Sequence, residues 1–265
     1  MVKRIVLTSI VVFLCTLFFP HCYAKAKGYE GELLSTFSTS YENSSEGRRK
    51  NVELASSKIN GVVLKEGEVF SFNFVTGERT LENGYQSSPT IEKGEFVMGV
   101  GGGVCQVSTT LYNAVIRAGL QVISVSPHSL PVSYVPPSMD AMVSTATDFR
   151  FKNTTPYPIT IKSQARGGVL TFKIYGFKMV TDGESFLFRS TSVSVIPYEY
   201  EEIVDRENKI PEGQDFLILK EGKEGLISRS YKDVYFSGKL IASIKIREDY
   251  YKPQKGIKLV RECGF

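Results

Sequence analysis

Residues 101–114 read GGGVCQVSTTLYNA, and the rest of the chain is arranged around this stretch. Three glycines, Gly101, Gly102 and Gly103, lead into Cys105, and apolar residues then recur at helical spacing until Gly119 stops the helix. Backbone N–H groups at a helix start point toward one spot, and the helix dipole adds positive potential there. A thiol at that spot has a lowered pKa and is a stronger nucleophile.

Cys105 has two interpretations. In the first it is a nucleophile, the N–H groups of Val104 to Gln106 form an oxyanion hole, His128 is the base, and Asp140 or Asp148 orients the base. The order cysteine, histidine, acid is that of papain-like and transglutaminase-like folds, which is an analogy at the level of the fold. In the second, Cys105 is a buried residue that packs the helix against a sheet.

Two further functional classes remain open. Glu68, Asp140 and Asp148 predict a glycan-cleaving enzyme if two of these carboxylates face each other across a groove. A non-catalytic protein would instead hold stem peptide or glycan in its groove. The polar and small residues available for such contacts are Gly101, Gly102, Gly103, Gln106, Ser108, Thr109, Thr110, Tyr112, Ser129, Tyr134 and Tyr85. Tyr134 and Tyr85 would stack on sugar rings, although burial is the commoner fate of tyrosine. The glycine stretch lacks the lysine of a phosphate-binding loop, so nucleotide binding is not expected.

The first residues resemble a secretory signal. A basic start, Met1 to Arg4, precedes an apolar run from Ile5 to Phe19, and Pro20 and Ala24 follow at the spacing of a cleavage site. The run is shorter than the roughly 20 apolar residues of a spanning helix. We therefore expect a signal peptide over residues 1–24 and a secreted or surface protein. An uncleaved anchor is the alternative, and the membrane would then be a partner through this segment alone.

Composition limits the possible partners. Without the signal the chain has 30 basic residues against 28 acidic ones, which is too balanced to predict nucleic-acid binding. His128 is then the only histidine, which excludes a multi-histidine metal site, and no cofactor is expected. Two cysteines, Cys105 and Cys263, remain outside the signal; they do not form a disulfide scaffold, but a bridge between them would exclude a nucleophilic Cys105.

The hydrophobic pattern predicts an α+β domain, with helices packed on an antiparallel sheet, over residues 25–178. Helices are expected at Arg48–Ile59 and after Cys105. The expected strands are Leu33–Phe37, Val62–Leu64, Val69–Phe74, Leu120–Val125, Val132–Val135, Met142–Thr147, Phe149–Lys152, Ile159–Ser163 and Leu170–Ile174. Short alternating segments without a helix predict a small all-β module over residues 179–265.

Several motifs in order resemble the VanW family of bacterial envelope proteins. They are the 101–114 stretch itself, Gly67 to Asn73, Gly84-Tyr85, His128 to Pro136 and Asp140 to Val143, and they extend from about Tyr29 to Tyr175. The chain departs from the family at Ser138, where a glycine is expected before the aspartate.

The tail from Val193 to Gly264 is similar, more loosely, to the five-glycine β-module of surface and cell-wall proteins. The matching residues are Ile196-Pro197-Tyr198, Gly213, Gly222, Glu224-Gly225, Gly238 and Gly264. The two resemblances imply a Gram-positive-type cell envelope and peptidoglycan, either stem peptide or glycan strand, as the partner. Neither resemblance implies an oligomeric state or a biochemical activity.

Overall fold

A computed structural model describes residues 31–92, 95–178 and 181–261, and they form mostly β structure with few helices. The helices are α1 (Glu46–Ile59), α2 (Phe72–Thr76) and α3 (Val104–Arg117). The strands are β1 (Glu32–Ser40), β2 (Val63–Leu64), β3 (Val69–Ser71), β4 (Ser87–Glu92), β5 (Glu95–Val100), β6 (Gln121–Ser124), β7 (Arg150–Lys152), β8 (Ile159–Arg166), β9 (Val169–Gly176), β10 (Glu184–Ile196), β11 (Tyr200–Val204), β12 (Phe216–Lys220), β13 (Gly225–Phe236), β14 (Lys239–Tyr251) and β15 (Gly256–Val260). The predicted signal peptide and Cys263 lie outside the described residues.

The strands before residue 178 form three sheets. Four antiparallel strands lie in the order β1-β9-β8-β2, a smaller sheet has the order β3-β7-β6, and β4 pairs with β5 as a hairpin. Helices α1 and α3 contact each other and the four-stranded sheet, α1 at β8 and α3 at β1 and β9. This layer of helices on a sheet positions the start of α3.

Helix α3 is buried along almost its whole length, so its place in the fold is fixed. Val104 and residues 106–116 are all buried. Hydrogen bonds from β1 also fix the orientation of α3. The Ser35 hydroxyl of β1 donates to the Ala114 carbonyl at 2.7 Å, and the Thr39 and Thr110 hydroxyls lie 2.8 Å apart. The helix begins on Gly103, which has φ 103° and offers no side-chain cap, so its first N–H groups are not covered by a capping side chain.

Three predicted strands are wrong. The strand expected over Val69–Phe74 ends at Ser71, because the Ser71 hydroxyl accepts from the Phe74 N–H and so caps α2. Residues 125–149, all of them described, contain neither helix nor strand, so Val132–Val135 and Met142–Thr147 are irregular. Prolines at 131, 136 and 137, which have no N–H to donate, flank the first of these segments on both sides. In the second, the Ser144 hydroxyl accepts from the N–H groups of Ala146 and Thr147 and forms a turn.

The β4–β5 hairpin was not expected from the sequence, and it explains the glycine stretch. A side chain at Gly102 would meet the Pro89 carbonyl oxygen at 2.5 Å and the Ser88 carbonyl oxygen at 2.8 Å. Helix α1 approaches from the other side, where the Asn51 amide donates to the Gly102 carbonyl at 2.9 Å. The glycines therefore allow the hairpin and α1 to pack against the start of α3.

Replacing Gly102 with alanine is expected to lower the free energy of unfolding by about 1–3 kcal/mol, because the added methyl group meets backbone oxygens that cannot rotate away. Urea unfolding measures the loss. Gly99→Ala is the matched control in the same hairpin, since its methyl group meets only the Thr90 side chain. Equal stability of Gly102→Ala and wild type would contradict this account of the loop.

The strands after residue 181 form two further sheets. Strands β10-β13-β14 are antiparallel, whereas in β11-β15-β12 the pair β11–β15 is parallel. No helix lies between residues 181 and 261, as the alternating pattern predicts. Among all the described residues, no helix has both the length and the apolar character needed to cross a membrane.

Candidate active site

Cys105 lies in the first turn of α3 and is only partly buried, unlike the residues on either side of it. It is a free thiol. Its sulfur donates to the Val143 carbonyl oxygen at 3.3 Å. The irregular segment after β6, which contains residues 125–149, therefore folds back over the start of the helix.

His128 stands on this irregular segment, and the structure brings it to both Cys105 and Asp140. The imidazole lies close enough to the thiol for a hydrogen-bonding and charge interaction that lowers the pKa of Cys105 and raises that of His128. On the other side of the ring, Nδ1 lies 2.5 Å from Asp140 Oδ2, and the same oxygen accepts from the His128 backbone N–H at 2.7 Å. Because Asp140 contacts Nδ1, Nε2 is the ring nitrogen that remains available to the thiol. The three residues form a continuous chain of contacts from thiol to imidazole to carboxylate.

The second oxygen of Asp140 is held from a different part of the chain. Asp140 Oδ1 accepts from Arg247 Nη2 at 3.0 Å and from the Tyr251 hydroxyl at 3.0 Å. Both donors belong to β14. Asp140 is therefore a fully buried carboxylate with four hydrogen bonds, which are the conditions that keep such a group ionised.

These contacts favour a thiolate–imidazolium pair. Burial raises the pKa of the Cys105 thiol, but the hydrogen bond and charge of His128, together with the charge of Arg79, outweigh it and hold the pKa below its usual value. Burial lowers the pKa of His128, whereas the hydrogen bonds with Asp140 and Cys105 raise it to about 9. The pKa of Asp140 is lowered, because His128 and Arg247 outweigh the desolvation that raises it. The lowered pKa of the thiol and the raised pKa of the imidazole both favour transfer of the proton from Cys105 to His128.

Two of the three N–H groups predicted to form an oxyanion site at residues 104–106 already donate to backbone carbonyls. The Val104 N–H donates to the Gly101 carbonyl at 3.1 Å and the Gln106 N–H to the Gly103 carbonyl at 3.0 Å. Of the predicted set, only the Cys105 N–H has no backbone acceptor in the described part of the chain. Arg79 lies close by, and its Nε is buried and has no hydrogen-bond partner among the described residues. The Cys105 N–H and Arg79 Nε are therefore the two donors of this region that have no acceptor among the described residues.

Most residues predicted as groove contacts are internal instead. Ser108 donates to the Ala141 carbonyl at 2.6 Å, and Thr109 accepts from the Ala141 N–H at 2.9 Å, so both tie α3 to the segment that carries Asp140. Tyr85 and Tyr112 are fully buried and cannot stack on a sugar. The other predicted contacts that are buried are Gly101, Gly102, Gly103, Gln106 and Thr110. The side-chain amide of Gln106 donates hydrogen bonds to the Thr39 hydroxyl and the Ser40 carbonyl.

Two of the residues predicted as groove contacts remain at least partly exposed to solvent. Ser129 is exposed beside His128. Tyr134 is partly buried, packs against the core and hydrogen-bonds Thr109, with the thiol close enough to influence it electrostatically. These two residues border the exposed part of the candidate site.

The three carboxylates predicted for glycan cleavage each bind different partners. Glu68 accepts from the Lys65 N–H at 2.8 Å and closes its own turn. Asp148 accepts from the Ser71 hydroxyl at 2.6 Å and the Asn73 N–H at 2.9 Å, so it holds the start of α2 rather than His128. Only Asp140 of the three contacts the thiol–imidazole pair. Within residues 31–92, 95–178 and 181–261, no group of three histidine, cysteine or acidic residues is arranged to hold a metal ion.

Three residues of the site carried no signal in the sequence. Arg79 lies in a loop, and Arg247 and Tyr251 alternate with other polar residues in an ordinary strand. Nothing in their spacing relates them to Cys105. Ser138, where the sequence departs from the family's glycine, adopts φ 61°, and its N–H donates to the Tyr251 hydroxyl at 2.8 Å. The left-handed backbone explains why a glycine is expected there.

Residues 47–175 match the protein-family model described as VanW like protein. The chain carries a VanW-like domain. Two relatives agree with this assignment. The chain is 44% identical over 148 residues to "Uncharacterized protein YoaR" of Bacillus subtilis (strain 168), which is 56% of this chain and 49% of that protein. It is 30% identical over 111 residues to "Vancomycin B-type resistance protein VanW" of Enterococcus faecalis (strain ATCC 700802 / V583), 40% of each.

The chain therefore spans about half or less of the length of these curated relatives. Among solved structures, the crystal structure of HP0197-G5 is 26% identical, with a TM-score of 0.20, and aligns with 29% of this chain and 96% of that one. The IgA1 protease G5 domain is 15% identical, with a TM-score of 0.22, and aligns with 30% and 92%. The VanW-like domain holds Cys105, His128 and Asp140, whereas Arg247 and Tyr251 lie outside it.

Proposed function

We propose that the chain is a cell-envelope protein whose VanW-like domain cleaves or transfers amide bonds in the stem peptide of peptidoglycan, with Cys105 as the nucleophile. The observation that carries the proposal is the chain of contacts from Cys105 through His128 to Asp140. In this proposal an α+β domain over residues 25–178 holds the site, and an all-β module over residues 179–265 follows it.

The envelope context rests on relatives and resemblance. One relative is named as a vancomycin resistance protein, and the VanW motifs and the spaced glycines of the tail resemble those of envelope proteins. The signal-like start of the sequence adds a route out of the cytoplasm. We accordingly place the protein outside the cell membrane, in contact with peptidoglycan.

The proposed reaction is acyl transfer through a thioester. The Cys105 thiolate adds to the carbonyl carbon of an amide, and the carbonyl electron pair moves to the oxygen, which meets the Cys105 N–H and Arg79. The C–N bond then breaks, and the leaving nitrogen takes the proton from His128. Water or a second amine, deprotonated by His128, attacks the thioester; the C–S bond breaks and the thiolate returns. Asp140 holds the imidazole in the required orientation throughout.

The electrostatics suit this role for His128. A base that already holds the proton of the nucleophile makes the thiolate available at neutral pH, and it then has a proton ready for the leaving amine. A merely structural cysteine needs neither a buried histidine beside it nor a buried carboxylate behind that histidine. The alternative of a cysteine that only packs the helix against the sheet leaves this arrangement unexplained.

Purified peptidoglycan sacculi test the proposal. Wild type is expected to release soluble fragments with new amine and carboxyl ends, or, with an added amine, fragments that carry a new amide. Cys105→Ala and Cys105→Ser are expected to release none above background. Mass spectrometry of the soluble fraction identifies the bond. Equal release by wild type and Cys105→Ala would exclude thiol catalysis, and release by neither, with both retained on sacculi, would favour a non-catalytic binder.

A further inference from the structure

The buried acid of the candidate site is completed by a strand that lies outside the VanW-like domain. Asp140 Oδ1 accepts from Arg247 Nη2 and the Tyr251 hydroxyl, each at 3.0 Å, and both residues lie on β14. The family match ends at residue 175. The residues of the VanW-like domain therefore supply the thiol, the imidazole and the carboxylate, but not the donors on the outer oxygen of that carboxylate.

The segment just before Asp140 is fastened to the same three-stranded sheet. The Ser138 N–H donates to the Tyr251 hydroxyl at 2.8 Å, and the Ser138 hydroxyl lies 2.5 Å from that of Ser228 on β13. The Ser190 hydroxyl of β10 donates to the Pro137 carbonyl at 2.5 Å. Each strand of the sheet thus contributes at least one contact to residues 137–140. The contacts fix the backbone from which the carboxylate projects.

Arg247 is a mostly buried cation, and its contacts differ from those of a solvent-exposed ion pair. Its side chain is only 11% exposed. Its Nε donates to Asp249 at 2.7 Å, and its guanidinium lies 5.4 Å from the centre of the Tyr112 ring on α3. A buried cation of this kind is stable only beside anions, and its nearest anions are Asp140 and Asp249.

We propose that Arg247 and Tyr251 are positioning residues that keep Asp140 ionised and aimed at His128, so that the sheet containing β14 is part of the reactive site. This inference rests on the proposed function. The reasoning is electrostatic. A buried carboxylate without donors takes up a proton, and a neutral acid no longer stabilises the imidazolium. The imidazolium in turn stabilises the thiolate, so a change at Arg247 reaches Cys105 through two intermediate groups.

The charged and titratable groups near Asp140, His128 and Cys105 determine which groups a titration of the Cys105 thiol reports. The titratable or charged residues that interact with Asp140, Cys105 or His128 are Arg247, Tyr251, Tyr112, Arg79 and Tyr134, and Asp249 interacts in turn with Arg247. The tyrosines among them have raised pKa values and stay neutral below pH 9, and Arg247, whose pKa is also raised, stays charged. A titration of the thiol between pH 4 and 9 therefore reports mainly on Cys105 and His128.

The test is the pH dependence of alkylation of Cys105 by iodoacetamide in the full chain, followed by peptide mapping so that the other three cysteines do not contribute. Wild type is expected to show a midpoint below the ordinary thiol value of about 8.5. Arg247→Gln is expected to raise the midpoint and to lower the rate at pH 6 by roughly tenfold, which corresponds to about one pKa unit. Arg247→Lys is expected to restore most of the rate because it returns the charge.

Two further variants complete the design. Arg229→Gln is the matched control: it removes the same charge from the neighbouring strand, but Arg229 pairs with the exposed Glu248 rather than with Asp140. Its alkylation profile is expected to equal that of wild type. Tyr251→Phe removes one donor from Asp140 without removing a charge, and a smaller shift in the same direction is expected. If Arg247→Gln does not fold, Tyr251→Phe and Arg247→Lys decide the question.

The outcomes separate the two proposals. A wild-type midpoint near 8.5 would overturn the proposed thiol chemistry itself. A low wild-type midpoint that stays unchanged in folded Arg247→Gln and Tyr251→Phe would overturn only the role of β14. A shift in Arg229→Gln equal to that in Arg247→Gln would also overturn it, because the effect would then follow net charge rather than contact with Asp140.

Discussion

Replacing His128 with asparagine is expected to reduce release of fragments from sacculi by about two to four orders of magnitude, the usual contribution of a general acid–base group. The reason is twofold. The imidazolium that lowers the pKa of the Cys105 thiol disappears, and no group remains to protonate the leaving amine. At pH 6 a thiol with the ordinary pKa of about 8.5 is less than ~1% ionised, so alkylation of Cys105 is expected to slow by roughly a hundredfold.

The matched control for this prediction is Gln121→Ala. Gln121 is exposed on β6, the strand that leads into the segment carrying His128, and it has no contact with Asp140 among the hydrogen bonds of the described residues. Its activity and its alkylation rate are expected to equal those of wild type. If His128→Asn keeps the wild-type alkylation profile, the imidazole does not activate the thiol, and Cys105 and His128 are neighbours without a shared reaction.

Replacing Asp140 with asparagine is expected to cost about 3–5 kcal/mol of stability in addition to abolishing activity. The carboxylate is 1% exposed and Arg247 is 11% exposed, so the change leaves a buried guanidinium and a buried imidazolium with too little negative charge. The asparagine side chain has the same shape, but its amide group would face one of these donors. Urea unfolding at pH 6, where His128 still carries its proton, measures the loss.

The size of this loss is expected to depend on pH in a defined direction. The pKa of Asp140 is lowered by folding, so its contribution is present above about pH 4 and is lost as the pH falls through the folded value. The pKa of His128 is raised from 6.5 to about 9, so its contribution is full below pH 6.5 and is lost as the pH rises through 9. The difference between wild type and Asp140→Asn should therefore be greatest between about pH 4 and 6.5.

Glu248→Gln provides the comparison on the same strand. Glu248 and Arg229 are each 39% exposed, and the loss of such a surface pair is expected to cost only about 0–1 kcal/mol. A loss at Asp140 no larger than that at Glu248 would mean that the Asp140–Arg247 contact is solvated and weak. It would also remove the physical basis for assigning Arg247 a role at the thiol.

The parts of the site that could be predicted from sequence share one property: their residues are chemically rare in this chain. Cys105 follows three glycines, and His128 is the only histidine beyond the signal-like segment, so pairing them needed no knowledge of the fold. For the acid that orients His128, the sequence left two candidates, Asp140 and Asp148. The choice between them depends on the path of residues 125–149, which have no regular structure and therefore no periodicity to read.

The parts that could not be predicted depend on tertiary contacts between common residues. Serine, threonine and tyrosine near Cys105 looked suited to bind a ligand, yet Ser108 and Thr109 are used to hold the backbone of Ala141. Arg247 and Tyr251 come from a strand whose pattern indicates only alternation. The β4–β5 hairpin was missed because its strands contain proline and glycine, which weaken the strand signal.

The hydrogen bonds that Arg247 and Tyr251 donate to Asp140 also affect the order in which the site forms as the chain folds. Asp140 is separated from Arg247 by 107 positions and from Tyr251 by 111. A chain is synthesised from its N-terminus, and contacts over such distances form late. Until β14 is in place, Asp140 lacks the Arg247 and Tyr251 donors, and Cys105 is expected to be less reactive than in the folded protein. Full reactivity of the thiol would thus develop only after β14 has packed against the segment that carries Asp140, which limits side reactions of a partly folded chain.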